Sequence, residues 1–264
     1  MKALEKSFNR YYDRVLKILS VPRNHFKPEH FHKLRVNIKK INALLLLTEY
    51  CIPAFERKKH FKSLRIIFQQ AGRVREIQLQ IKILKSYSSL PGILPYLKLL
   101  KNELSVEKEK FFSMAIVPIS FKSVSIAKAM SKTKKEEVIK YLKKKEKRIR
   151  KYVQHNKINL EKLHRLRIEL KRWIYCLESL KMHVPEKLIT LAEDLGKWHD
   201  CYVNQQQITA AMNYDRLPIE TIRSLNILQK GLRLKEKKLL TGIQQSMAMY
   251  KKENSILSET HTEP

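Results

Sequence analysis

His32, Arg35 and Lys39 stand at i, i+3 and i+7, with Lys40 directly after them, inside the segment FHKLRVNIKKINALLLL at 31–47. The same types return 132 residues later as His164, Arg167, Lys171 and Arg172, inside LHRLRIELKRWIYCLESL at 163–180. At about 100° per residue the first three of each set share one stripe of a helix, and the fourth sits at its margin. These residue types suit phosphate. Arginine presents a planar fork that matches phosphate oxygens, lysine a mobile charge, and histidine a donor whose pKa a bound anion raises. Catalysis fits poorly, because the stripes hold no carboxylate to act as a base or metal ligand apart from Glu178, late in the second segment.

A basic helix face is ordinarily a solvated one. Solvated faces, however, usually mix signs, since like charges at i, i+4 cost a few tenths of a kcal/mol and opposite charges gain as much. Arg35–Lys39 and Arg167–Lys171 both leave that gain unused. The H-x-x-R-x-x-x-K-[KR] spacing also recurs intact in the two segments, which argues for a ligand shared by both.

The elements that carry these residues read as helices with an apolar stripe opposite the basic one: Leu34, Ile38, Ile41 and Leu45 in the first, Leu166, Leu170, Trp173 and Leu177 in the second. Glycine is scarce, five in 264 residues, and strand-like alternation is rare, so the fold class is all-α. Prolines punctuate the helices. Four are expected at about 2–20, 29–51, from Pro53 to 87, and from Pro91 to 112. After a linker at 113–131, four more are expected at about 133–154, 159–182, 186–212 and 218–250. Pro185 and Pro218 fall at helix starts, where proline is tolerated. Residues 251–264 read as a disordered tail. The third helix of each half carries a fainter echo, QAGRVREIQL (70–79) against DLGKWHDCYV (194–203), which pairs Gly72 with Gly196 and Arg73 with Lys197. Two copies of one four-helix unit, 1–112 and 132–250, are therefore expected to form a pseudo-symmetric pair.

Composition narrows the partners. Lysine and arginine number 55 against 25 acidic residues, a formal charge of +30 that favours a polyanion: nucleic acid, an anionic membrane surface or a phosphate polymer. Hydrophobic residues, 43 % of the chain, are enough for a real core. The charged start MKALEKSFNRYYDR is unlike a signal peptide, and no apolar run is long enough to span a bilayer. Cys51, Cys176 and Cys201 are few and scattered, as buried reduced thiols in the cytoplasm would be. Further cations lie at Lys6, Arg10, Arg14 and Lys17 on the first helix and at Lys58, Lys62, Arg65 and Arg73 on the third. The fifth is the densest, with eleven lysines or arginines over 131–151, among them Lys140, Lys144, Lys147 and Lys151 on one face.

With HKLRVNIKK, HRLRIELKR, GRVRE and EDLGKWHD in view, the chain resembles the CHAD domains over about residues 1–250. That resemblance implies two four-helix bundles around a central basic channel that binds inorganic polyphosphate without a cofactor. It also implies that His32, Arg35, Lys39, Lys40, His164, Arg167, Lys171 and Arg172 line the channel, with Arg65 and Arg73 contributing from the third helix. Lys6, Arg10, Arg14, Lys62, Lys140, Lys144, Lys147 and Lys197 form a second rank of candidates. The chain departs from the family pattern at Glu76, where aspartate is frequent, and at His199, where a smaller polar residue is common. The expected protein is a non-catalytic cytoplasmic polyphosphate binder, associated with polyphosphate granules, for which nucleic acid is a weaker, non-specific competitor. Two alternatives stand beside it: a helical nucleic-acid-binding protein, although no zinc-finger or RNP signature appears, and a metal phosphohydrolase built on the His-Asp pair of WHD (198–200), which lacks evident acidic partners.

Overall fold

Proline and a capping side chain mark several of the helix starts. The computed structural model describes residues 1–115, 123–154, 159–213 and 217–251, and its regular elements among these are all helical. They are α1 (Lys2–Leu19), α2 (Pro28–Cys51), α3 (Arg57–Lys85), α4 (Ile93–Ala115), α5 (Ser123–Ser131), α6 (Lys135–Gln154), α7 (Leu160–Ser179), α8 (Glu186–Met212) and α9 (Ile219–Lys251), with a 3₁₀ turn at Arg23–His25. Pro28 opens α2, where its missing N–H costs nothing. Asn159 caps α7 by accepting from the backbone N–H groups of Glu161 and Lys162 at 2.9 and 3.2 Å.

One element differs from the expected plan. Residues 123–131, read as part of a linker, form α5, whose Ile126, Ala127 and Met130 are buried against α1. A nine-residue helix is too short to announce itself by periodicity and owes its stability to that packing. Residues 116–122 of the expected linker and 252–264 of the expected tail lie outside the described residues.

Within each half, consecutive helices pack on one another: α1 on α2, α2 on α3, α3 on α4, and likewise α6 on α7, α7 on α8, α8 on α9. Between halves, α2 packs on α7, α4 on α9, α1 on α7 and α2 on α6. Exchanging the halves maps the first two pairs onto themselves and the last two onto each other, so the packing is compatible with a duplicated unit. The α1–α5 contact breaks the symmetry. Leu34, Ile38, Ile41 and Leu45 of α2 and Leu166, Leu170, Trp173 and Leu177 of α7 are all at most 1 % exposed. Each such burial contributes about 1.5–3 kcal/mol, which holds the two basic helices firmly in register. The main core draws on α1–α9, with α4 contributing Phe111, and a second cluster joins Ile77, Leu84 and Leu97 to Ile208, Leu225 and Leu228. Both clusters cross between the halves.

Candidate functional site

Because α2 lies against α7, the two basic stripes meet. Arg35, Lys39, Arg167 and Lys171 are each half-buried, and among the described residues none of the four makes an ion pair with a carboxylate. Arg35 is held from α3: its Nη1 donates to the Phe68 carbonyl at 3.0 Å and its guanidinium stacks 4.4 Å from the Phe68 ring. The Lys39 ammonium lies 5.9 Å from the same ring. Gly72 makes room for Arg35, since a Cβ there would strike the guanidinium. Arg167 has a buried Nε with no hydrogen-bond partner.

The electrostatics are those of cations buried beside one another. Burial pushes the Lys39 ammonium down to about 8, and Arg167, Arg35 and Lys171 add to the drop while Asp200 opposes it. Burial lowers Lys171 as well, with Arg167 next. It likewise lowers Arg35, where Glu76 opposes and Arg75 and Arg167 assist, and Arg167, where Asp200 opposes. His32 and His164 fall below the ordinary histidine value, chiefly through burial; Arg75 and Lys39 assist at His32, and Arg167 at His164. His199 of α8, 4.9 Å from the His164 ring, is pushed down to about 4 by burial, then by Arg167 and His164. Its buried Nδ1 also lacks a partner. Asp200 is the carboxylate felt by His32, Lys39 and Arg167 together. Although the residue as a whole is exposed, burial of its carboxyl among its neighbours raises it, against the pull of Arg167, Lys39, Arg75 and His32.

The remaining candidates are placed differently. The two residues at the stripe margins are neutralised: Lys40 bonds Glu178 at 2.7 Å, and Arg172 lies 3.4 Å from Glu169, which also binds Lys145 at 2.7 Å. Arg65 is exposed on the same face of α3 as Phe68 and Gly72, while Arg73 is exposed and turned so that its charge acts on Glu107 of α4. Arg75, which the sequence reading passed over, is the α3 arginine whose charge reaches His32, Arg35 and Asp200. The signal was available, because Arg75 lies three residues beyond Gly72 on one stripe, whereas Arg73 is turned about 100° away. Lys62, Lys147 and Lys151 are exposed on their helices. Lys140 pairs with Glu137 at 3.7 Å, Lys144 lies 5.2 Å from the Tyr50 ring, and Lys197 pairs with Asp194 at 3.1 Å. Lys6, Arg10, Arg14 and Lys17 line a groove on α1.

Beside this site, Trp198 donates its indole N–H to Glu236 at 3.2 Å and lies 6.3 Å from the His199 ring. Cys176 and Cys201 are buried, Cys51 partly so, and all three are free thiols. Among the described residues no group of three or more His, Cys, Asp or Glu side chains is placed to hold a metal ion, and no described helix is long and apolar enough to cross a membrane.

Comparison with known proteins agrees with the fold. The sequence model of the CHAD domain family matches residues 8–209. The CHAD domain of the plant Ricinus communis superposes with a TM-score of 0.71 at 14 % identity, covering 93 % of this chain and 89 % of that one. PptA from Streptomyces chartreusis superposes with a TM-score of 0.68, also at 14 % identity, covering 93 % and 98 %. A search of curated proteins found no match.

Proposed function

This chain belongs to the CHAD domain family, and from that premise we propose that it binds inorganic polyphosphate without catalysis, in a basic channel between α2 and α7. The observation that carries the reading is the meeting of Arg35 and Lys39 with Arg167 and Lys171, four cations from the two repeated helices to which, among the described residues, no carboxylate is bonded. Placing like charges together without counter-ions weakens the fold, and the arrangement makes sense when a polyanion supplies the missing charge. Arg75 and the histidines His32, His164 and His199 complete the wall. On this reading nucleic acid, which carries bulky bases between its charges, is a weaker, non-specific competitor. The cluster offers donors rather than a base, and its central carboxylate, Asp200, faces cations.

The test replaces Arg35 and Arg167 together with glutamate. Binding to a long phosphate polymer at low salt is expected to fall by more than about 100-fold, with the helical circular dichroism unchanged. In the unaltered protein affinity is expected to drop steeply with salt, as counter-ion release requires. Unchanged binding by the double variant would overturn the reading. Release of phosphate from the polymer in Mg²⁺ or Mn²⁺ would overturn its non-catalytic part.

A further inference from the structure

A second set of cations lies one aromatic ring away from the central cluster. Lys40 touches the electrostatics of Lys171, and its ammonium sits 5.3 Å from the Tyr175 ring and 5.3 Å from the Tyr11 ring. Arg10 stacks on Tyr11 as well, at 5.1 Å, and donates to its hydroxyl at 3.3 Å. Tyr11 is itself fixed by Ser179 of α7, hydroxyl to hydroxyl at 3.3 Å. From Arg10 a surface groove of about 380 Å³ runs along α1, lined by Lys6, Asn9, Arg10, Asp13, Arg14 and Lys17. Asp13 is its one carboxylate, and among the described residues none of the four cations is bonded to an acid. From Lys6 to Lys17 the helix rises about 16 Å.

The other margin of the cluster is built differently. Arg172 leads to Glu169, a carboxylate 8 % exposed and already held by Lys145, and on α6 beyond it Lys140 pairs with Glu137 and Arg150 with Glu146, while Lys144 and Lys147 are exposed. Both margins begin with a paired cation, Lys40 on Glu178 and Arg172 on Glu169, and the Lys40 side leads to the groove lined by four cations.

We propose that the α1 groove is an outer subsite for phosphate polymers, engaged only by chains long enough to run from the central cluster past Lys40 onto Arg10, Arg14 and Lys17, with the buried Tyr11 ring holding Lys40 and Arg10 side by side. The inference rests on the central reading. It makes the footprint asymmetric: the chain's far end lies on the first half of the molecule. It also makes affinity grow with polymer length beyond what the centre spans, because the second contact is intramolecular once the first is made.

The experiment compares tripolyphosphate with a polymer of several tens of phosphates, using the unaltered chain and the triple variant Arg10→Gln, Arg14→Gln, Lys17→Gln. These side chains are exposed, so folding is preserved. Tripolyphosphate is expected to bind both proteins within about twofold. The long polymer is expected to lose on the order of 10-fold in affinity for the variant, and its log–log salt slope to fall by about two to three. Equal affinity of the two proteins for the long polymer, or an equal loss for both ligands, would overturn the outer subsite. A failure of the central reading looks different, since tripolyphosphate would then not bind even the unaltered chain.

Discussion

The guanidinium of Arg35, on α2, fills the space that a side chain at position 72 of α3 would occupy. Position 72 therefore acts as a seat for Arg35, and its apparent twin in the other half, Gly196, has nothing within 4 Å of an added Cβ. Glycine inside a helix costs about 0.5–1 kcal/mol relative to alanine. Gly196→Ala is expected to raise thermal stability slightly and leave binding unchanged. Gly72→Ala is expected to expel Arg35 from its bond to the Phe68 carbonyl and weaken polyphosphate binding about tenfold or more. Calorimetric unfolding paired with a binding titration distinguishes the two.

Lys39 sets stability against binding. Its folded-state pKa, about 8, lies below the ordinary 10.5, so between those values the unfolded chain holds more protons and stability rises with pH. Below pH 8 the full cost of the buried charge is present. Lys39→Met is accordingly expected to stabilise the ligand-free protein by about 1–2 kcal/mol at pH 7 while weakening polyphosphate binding. In the unaltered protein, binding is expected to weaken progressively above pH 8 as the ammonium is lost, and titrations from pH 7 to 10 read that slope. A variant that is less stable at pH 7 would contradict this account.

The histidines give the same signature at lower pH. His32, His164 and His199 are held below their ordinary 6.5, His199 at about 4. Without ligand, the unfolded state binds more protons below that value, so stability falls as pH drops from 6.5 toward 4. A bound polyanion raises the same groups, so binding is expected to take up protons and tighten across this range. His32→Gln with His164→Gln is expected to flatten the binding profile between pH 5 and 7, which isothermal titration in two buffers of different ionisation heat would detect.

Asp200 acts as the resident counter-charge for cations of both halves. Asp200→Asn is expected to tighten polyphosphate binding several-fold, on the order of 1 kcal/mol, the scale of a partly screened charge interaction. Weaker binding on titration would show instead that the carboxylate orients the cations.

Glu178 occupies Lys40 at the junction with α1. With side chains 20 % and 40 % exposed, the pair adds little to stability. Glu178→Gln is expected to shift unfolding by less than about 1 kcal/mol, yet to raise affinity for long polymers more than for tripolyphosphate. A competition assay between the two ligands measures that preference.

Much of this arrangement can be read in the chain, and the part that cannot has a physical reason. The stripes of α2 and α7 and the prolines at 28, 185 and 218 mark the helices that carry the cations. What the sequence does not carry is which stripe residues remain uncompensated. Lys40 and Arg172 look equivalent to their neighbours, but Glu178 and Glu169 reach them across the fold. α5 escapes because its buried Ile126, Ala127 and Met130 span little more than one helical turn, too short a stretch to establish a period. Arg75 escapes because an echo of letters between halves pointed to Arg73, whereas the direction of the side chain on the helix decides which arginine faces α2.

The neighbourhood of Trp198 has an optical consequence. The chain has two tryptophans. Trp173 is sealed in the core with its N–H on the Leu142 carbonyl, while Trp198 lies 6.3 Å from His199. A protonated imidazole quenches a nearby indole, so a ligand that draws a proton onto His199 dims one emitter and spares the other. On the proposed reading, Trp198 emission is expected to dim when a polyanion binds, while that of Trp173 stays constant.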